Sequence, residues 1–122
     1  MVSVVHHYTP GGIVVDMVRL VDIPTLKARH ADGAFVLDVR EPAEYVNGHV
    51  PGAVLAPMSR ITTALGPVPR DRVVHVICQS GNRSRSMADL LTSLGYDAVS
   101  VEGGTSAWMA AGGPVVRGPL AA

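Results

Sequence analysis

The hydrophobic positions of the chain fall into short valine-rich runs that alternate with amphipathic segments. From Met17 onward, this alternation is typical of an α/β domain with a mainly parallel sheet. We expect five strands, each apolar enough to be covered by helices on both faces. The strands are MVRLV (17–21), AFVLDV (34–39), AVLAP (53–57), RVVHVIC (72–78) and AVSVE (98–102).

Helices are predicted between these strands, where capping residues, prolines and glycines mark the ends of amphipathic segments. The clearest helix has apolar residues at i, i+3, i+4 and i+7, and ends at Gly95. Trp108 and Met109 are expected to anchor the last helix to the core. The predicted helices cover residues 22–29, 41–48, a short segment from 59, 83–94 and 106–110.

The regular pattern occupies residues 17–117, which is the size of one domain. Residues 1–16 contain a Pro-Gly-Gly sequence between two valine-rich pieces, and we interpret them as a loosely attached N-terminal extension. Glycines and a proline end the last helix, so residues 118–122 are predicted to be a frayed C-terminal tail.

Composition and charge narrow the class of protein. Hydrophobic residues make up 48% of the chain, which is enough apolar surface for a core. Acidic and basic residues number ten each, so we expect no nucleic-acid or membrane partner. No apolar run has the length of a membrane span, and the first residues lack a signal-peptide pattern. With a single cysteine, which excludes an intrachain disulfide, the chain is expected to be cytoplasmic.

The candidate chemistry centres on Cys78, at the carboxyl end of a strand and directly before a polar loop and a helix. Ligands of open α/β sheets bind at this end of the strands. Gly81 lets the loop curl so that backbone N–H groups can converge on the sulfur, and the helix N-terminus adds partial positive charge. A lone cysteine in a strand is more often a packing residue, but packing does not require such a loop. The loop therefore predicts a thiolate with a lowered pKa.

Three arginines are candidates for binding an anion near Cys78. Arg83 and Arg85 lie at the helix start, where a cation is unfavourable without a negative partner. We favour an ion pair for Arg83 and substrate binding for Arg85. Arg40 follows a second buried strand on the same rim, and either binds an anionic donor or is an ordinary exposed arginine. The acidic candidates for pairing are Asp38, Glu41 and Glu44.

The histidines are interpreted as structural. His49 lies in the turn GHVPGA, and a thiolate nucleophile needs no general base. His75 lies within an apolar strand and is expected in the core. His6 and His7 have no neighbouring ligand at metal spacing, so no metal site is predicted.

Three segments resemble the rhodanese-like superfamily, and specifically its single-domain thiosulfate sulfurtransferases. They are LDVREPAEYVNGHVPGAVLAP, CQSGNRS and VEGGTSAWMAAGGPV, and they occur in the family's order and spacing. The resemblance extends over residues 18–116. It implies a five-stranded, mainly parallel sheet flanked by helices on both faces, an active cysteine after the fourth strand, and no metal or organic cofactor.

The resemblance also implies roles for individual residues. Cys78 matches the cysteine that carries a persulfide, and Arg40 matches the arginine of the family's DVR sequence. Where the best-known enzymes carry a basic residue after the cysteine, this chain has a glutamine. That difference favours a glutathione persulfide or a protein persulfide as donor beside thiosulfate. The residues that match the cradle around the sulfur are Gln79, Ser80, Gly81, Asn82 and Arg83.

The implied reaction transfers a sulfane sulfur in two steps through Cys78. The chain has no second cysteine, so the acceptor is expected to be an external thiol, such as glutathione or a thioredoxin-like protein, or cyanide in the test tube. Cell-cycle dual-specificity phosphatases share the fold, but their longer loop has arginine at the sixth position after the cysteine, where this chain has Ser84. A non-catalytic binding module is the other alternative, and it would not need the intact CQSGNRS loop.

Overall fold

The structure, a computed structural model, describes residues 2–9 and 12–122, with side chains described from Arg19 onward. Within these residues, one six-stranded sheet has the strand order β1-β2-β6-β5-β3-β4. The strands are β1 (Val2–Thr9), β2 (Gly12–Val21), β3 (Phe35–Asp38), β4 (Val54–Leu55), β5 (Val73–Ile77) and β6 (Asp97–Val101).

Five of these strands are parallel, as predicted: β2 pairs with β6, β6 with β5, β5 with β3, and β3 with β4. β1 is an additional strand that pairs with β2 in the antiparallel direction. The sequence analysis assigned residues 1–16 to a loosely attached extension, but residues 2–9 form an edge strand of the sheet and residues 12–16 form the first half of β2. The side chains of His6 and His7 lie outside the described residues.

Helices cover both faces of the sheet, in the intervals where the sequence predicts them. They are α1 (Ile23–Ala31), α2 (Pro42–Val46), α3 (Asn82–Ser93) and α4 (Gly104–Ala110), with a 3-10 helix at Met58–Thr63. The 3-10 helix and α3 pack on one face, and the other three helices pack on the opposite face. No helix in the described part is long and apolar enough to cross a membrane.

The last helix is anchored by Trp108, which is buried and donates from Nε1 to the carbonyl of Pro114 at 2.7 Å. Met109 was expected to share this role, but it is 39% exposed. Leu94, the last residue of the predicted apolar stripe on α3, is 43% exposed. It is the C-cap of α3, so it lies beyond the last regular turn of the helix.

The C-terminal segment is bonded to the turn that begins at Gly48. Val116 forms an antiparallel bridge with His49, and the backbone N–H of Gly52 donates to the carbonyl of Ala121 at 2.7 Å. The prediction of a frayed tail is therefore wrong. The backbone N–H groups of His49 and Gly52 in the turn donate to carbonyls of the C-terminal segment. The spacing of residues in the sequence does not predict these hydrogen bonds.

Both histidines predicted to be structural are confirmed as buried and bonded. The ring nitrogens of His49 lie 2.8 Å from the carbonyl oxygen of Tyr45 and 2.9 Å from that of Leu120. In His75, Nδ1 lies 3.0 Å from the carbonyl oxygen of Phe35. Burial is the largest influence on the pKa of His75 and lowers it, so this imidazole stays neutral in the core.

Candidate active site

Cys78 directly follows β5, and its sulfur lies inside the loop that leads into α3. The residue is 1% exposed. The backbone N–H of Gly81 donates to Sγ at 3.1 Å, and Oγ of Ser84 lies 3.5 Å from Sγ. Gly81 has a φ of 105°, a conformation that is available to glycine because it has no Cβ. The loop therefore curls around the sulfur as the sequence predicts.

Opposing influences act on the pKa of Cys78. Burial raises this pKa and is the largest single influence. The Ser84 side chain and the N–H groups of Ser84, Gly81 and Ser80 lower it, and together they outweigh burial. The N–H groups in the first turn of a helix have no intrahelical partner and carry the positive end of its dipole. The pKa of Cys78 consequently lies below the ordinary value of a thiol, which favours the thiolate.

The first turn of α4 holds the cysteine loop from behind. A Cβ at Gly104 would lie 2.5 Å from the carbonyl oxygen of Cys78 and 2.6 Å from that of Gln79. This close approach allows the N–H and hydroxyl of Thr105 to donate to the carbonyl of Cys78, at 2.8 and 3.0 Å. The N–H of Ser106 donates to the carbonyl of Gln79 at 3.0 Å. Gly104, the second glycine of the VEGGTSAW segment, is therefore part of the site.

Arg40 is buried behind the same loop. Its guanidinium forms an ion pair with Asp38 at 2.8 Å and donates to the carbonyl of Gly48 at 2.8 Å. Nη1 donates to Oε1 of Gln79 at 3.0 Å, and Nε2 of Gln79 donates to Oγ of Ser106 at 2.7 Å. Every nitrogen of the Arg40 guanidinium therefore has an acceptor within the protein. The residue is not the exposed loop arginine that the sequence left as one alternative.

The two arginines of α3 have different environments. Arg83 donates from both terminal nitrogens to the carboxylate of Glu44, each at 2.7 Å, so Glu44 is its partner among the acidic candidates. This pairing is the main reason that the pKa of Glu44 falls to about 2. Arg85 is exposed and takes part in no ion pair among the described side chains. It lines a pocket of about 270 Å³ beside the loop, and Glu102 lines the same pocket.

The predicted cradle residues contribute unequally. Ser80 and Gly81 direct N–H groups at the sulfur. The side chains of Gln79 and Arg83 bond to other elements, and Asn82 is exposed. The predicted loop is therefore assembled around Cys78 largely through its backbone.

Two serines were missed by the sequence analysis. Ser84 was considered only as the residue that replaces a phosphatase arginine, yet its hydroxyl lies next to the sulfur. The same hydroxyl lies 2.8 Å from Oγ of Ser100, a buried residue of β6. A serine within the apolar strand AVSVE was the available signal, since a buried hydroxyl requires a partner.

Comparison with known proteins places the site in a family. The sequence model of the rhodanese-like domain matches residues 22–111. The chain belongs to the rhodanese-like domain family. An Allochromatium vinosum protein named sulfurtransferase is 39% identical over 103 residues, which cover 82% of this chain and 96% of that protein.

Two solved structures extend the comparison. A rhodanese-related protein from Thermoplasma volcanium is 35% identical, with a TM-score of 0.74, and the match covers 80% of this chain and 97% of that one. A Rhodopseudomonas palustris protein of unknown function, described as a possible tyrosine phosphatase, is 25% identical. Its TM-score is 0.71, and the match covers 78% of this chain and 82% of that one. The predicted rhodanese-like fold is thus confirmed, and Cys78 lies inside the rhodanese-like domain.

Proposed function

We propose that this chain is a sulfurtransferase that carries a sulfane sulfur as a persulfide on Cys78. The observation that carries the proposal is the position of Sγ of Cys78, 3.1 Å from the N–H of Gly81 and 3.5 Å from the hydroxyl of Ser84, inside a loop that lowers the pKa of the thiol. Membership of the rhodanese-like family and the relative named sulfurtransferase support the same class of reaction.

The transfer takes place in two displacements at sulfur. The Cys78 thiolate attacks the sulfane sulfur of a donor, so that a bond to Sγ forms and the donor's own bond to that sulfur breaks. Sulfite, from thiosulfate, or a thiolate, from a persulfide, leaves with the electron pair. An acceptor nucleophile then attacks the outer sulfur, and Cys78 leaves as a thiolate. The N–H groups that stabilise the resting thiolate also stabilise this leaving group.

The proposed donors are thiosulfate and the persulfides of small thiols or proteins. Gln79 is neutral and is already bonded to Arg40, so it adds no charge for the thiosulfate dianion. We assign the exposed cation, Arg85, to an anionic donor. Contact between Arg40 and the donor stays a prediction, and its internal bonds favour an indirect effect through Gln79. The proposed acceptors are glutathione or a thioredoxin-like protein.

Phosphoryl transfer is the weaker alternative, although one structural neighbour is described as a possible tyrosine phosphatase. A phosphatase loop of this fold requires arginine at the sixth position after the cysteine for a bidentate grip on phosphate. Here that position is Ser84, and Arg83 is bound to Glu44 on both terminal nitrogens. Sulfur transfer needs neither that arginine nor room for a tetrahedral phosphate.

The proposal is tested by incubating the protein with thiosulfate and, separately, with glutathione persulfide. We expect mass spectrometry to show an adduct of one sulfur atom on the peptide that contains Cys78. Cyanide or a dithiol should remove this adduct. Cys78→Ser should abolish transfer, because an alkoxide is not formed at neutral pH and a hydroxyl cannot carry the persulfide.

Ser106→Ala would leave the cysteine intact but would remove the hydrogen bond that Ser106 accepts from the side chain of Gln79, so it does not serve as a control. Ser86→Ala, on the exposed surface of α3, is the matched serine control and should keep full activity. Aryl phosphates serve as the competing substrate class. Efficient hydrolysis of aryl phosphates, with no sulfur adduct from any sulfane donor, would reverse the ranking of the two functions.

A further inference from the structure

The hydroxyl of Ser84 has more acceptors around it than it has protons. Its oxygen lies 3.5 Å from Sγ of Cys78, 3.1 Å from the carbonyl oxygen of Gly81 and 2.8 Å from Oγ of Ser100. A serine hydroxyl has one proton to donate and two lone pairs that accept. If Ser100 accepts from Ser84, the Ser84 proton is used there. If Ser100 donates to Ser84, that proton is available for Sγ or for the carbonyl of Gly81, to which the Ser84 hydroxyl donates in this structure.

The hydroxyl of Ser100 has a single hydrogen-bond partner among the described residues. It is fully buried in β6, between Leu20 of β2 and Val76 of β5. Ser84 is the only side chain or backbone group bonded to Oγ of Ser100 in the part of the chain that the structure describes. A buried hydroxyl without a partner is unfavourable, so Ser100 must either donate to Ser84 or accept from it.

An anionic sulfur settles that direction. A thiolate can only accept, so the proton of Ser84 stabilises it only when that proton points at Sγ. The contact with Ser100 is then satisfied only if Ser100 is the donor. The carbonyl of Gly81 does not require the proton, because the carbonyl of an N-cap residue already accepts the first intrahelical bond.

We propose that Ser100 is a positioning residue that donates to Ser84 and thereby directs the Ser84 proton at the Cys78 sulfur, which keeps the sulfur anionic. The hydroxyls form a chain from β6 through α3 to the cysteine. A hydroxyl that accepts a hydrogen bond becomes a stronger donor itself, so Ser100 also strengthens the bond from Ser84. The effect of Ser100 on catalysis rests on the proposed sulfurtransferase function, whereas its effect on the thiol does not.

The charged side chains near the sulfur form their ion pairs without any hydrogen bond to Ser100. Arg83 of α3 lies within electrostatic range of Cys78 and is bound to Glu44 of α2. Arg40, which lies two residues after the end of β3, forms an ion pair with Asp38. Neither ion pair includes Ser100, so we expect both to be retained when the Ser100 side chain is changed. A shift in thiol ionisation in a Ser100 variant therefore reports on the hydroxyl chain.

The test measures the pKa of Cys78 in the resting protein from the pH dependence of iodoacetamide alkylation. Ser100→Ala should raise this pKa by about half a unit or more, which is roughly a threefold loss of thiolate below the pKa. Ser84→Ala should raise it further. The double variant should have the same pKa as Ser84→Ala alone, because Ser100 acts only through Ser84. Ser86→Ala, an exposed serine of α3, should not change it.

A second pair of variants separates the hydroxyl from packing. Ser100→Thr and Ser100→Val have nearly the same shape, and only the threonine retains the donor. The threonine variant should keep a lower Cys78 pKa than the valine variant. An unchanged pKa in Ser100→Ala, or additive shifts in the double variant, would overturn the proposal. Because no sulfur donor is used, either result is independent of whether the protein transfers sulfur.

Discussion

Polar side chains near Cys78 are held by partners from other parts of the fold. Arg40, which follows β3, holds Gln79 of the loop, and Arg83 of α3 binds Glu44 of α2. Every buried side-chain nitrogen or oxygen in the described residues has a hydrogen-bond partner. Leaving one such group unpaired costs about 1–3 kcal/mol. The loop is therefore fixed by several independent contacts before a donor arrives.

The pair between Glu44 and Arg83 predicts an acid-dependent stability. The pKa of Glu44 is about 2 in the folded protein, against an ordinary value of 4.5. A carboxyl with a lowered folded pKa stabilises the fold fully above its unfolded pKa, and this contribution is lost as the pH falls through the folded pKa. The stabilisation should therefore disappear between pH 4.5 and about 2.

Glu44→Gln should flatten that part of the pH profile and lower stability at neutral pH by a modest amount, because the pair is partly exposed to solvent. Urea denaturation at a series of pH values measures the free energy of unfolding directly. Glu102→Gln, an exposed carboxylate outside any ion pair of the described side chains, is the control. Equal slopes for Glu44→Gln and the unaltered protein would contradict the assignment.

At the level of elements, the approach of α4 to the cysteine loop leaves no space for a side chain at Gly104. Gly104→Ala should displace the loop carbonyls, lower stability by about 1–3 kcal/mol and reduce the proposed sulfur transfer at least about tenfold. Gly112→Ala is a matched control, because Gly112 also has a positive φ but has open space around it. Gly112→Ala should introduce backbone strain without a steric clash, so the rate of sulfur transfer per folded molecule should not fall.

Thermal unfolding and transfer rates of the two glycine variants distinguish backbone strain at a positive φ from a steric clash between a new Cβ and the cysteine loop. If both variants lost activity to the same extent, the contact between Gly104 and the loop would not be the cause. Retained activity in Gly104→Ala would show that the loop can move without consequence for the sulfur.

The sequence predicts the elements well because their signals are local. Valine-rich runs, capping residues and helix-ending glycines identify the parallel strands and the helices within a few residues, except that β2 begins at Gly12, five residues before the predicted strand. β1 was missed because a Pro-Gly-Gly sequence fits a linker as well as a connection between paired strands. The bond between Ser84 and Ser100 could not be predicted, since it joins residues of two elements whose side chains meet only after packing. The partner of Arg83 was left open among three carboxylates for the same reason.

At the level of the whole molecule, the tail and the turn at Gly48 stabilise one another. Gly118 donates to the carbonyl of Val46, and the carbonyls of Leu120 and Ala121 accept from the turn. Truncation after Val116 removes these bonds and should lower the free energy of unfolding by about 1–3 kcal/mol, with a fall of several degrees in Tm. Calorimetry measures both quantities.

Removal of Ala122 alone is the control for this truncation, since none of these bonds involves it. This shorter deletion should leave Tm unchanged. A truncated chain that melts with the unaltered protein would mean that the tail bonds contribute nothing in solution.

The order of strands in the sheet has a consequence for the newly synthesised chain. β2 is an early strand, yet its parallel neighbour is β6, which is the last strand to be made. Such pairing between distant parts of the chain slows folding and delays closure of the sheet. Ser100 and Gly104 also follow Cys78 along the chain, so the contacts that the cysteine loop and α3 receive from β6 and α4 can form only after those later segments have been made. We therefore expect the rate of Cys78 alkylation at neutral pH, followed during refolding, to report when β6 and α4 pack against the cysteine loop.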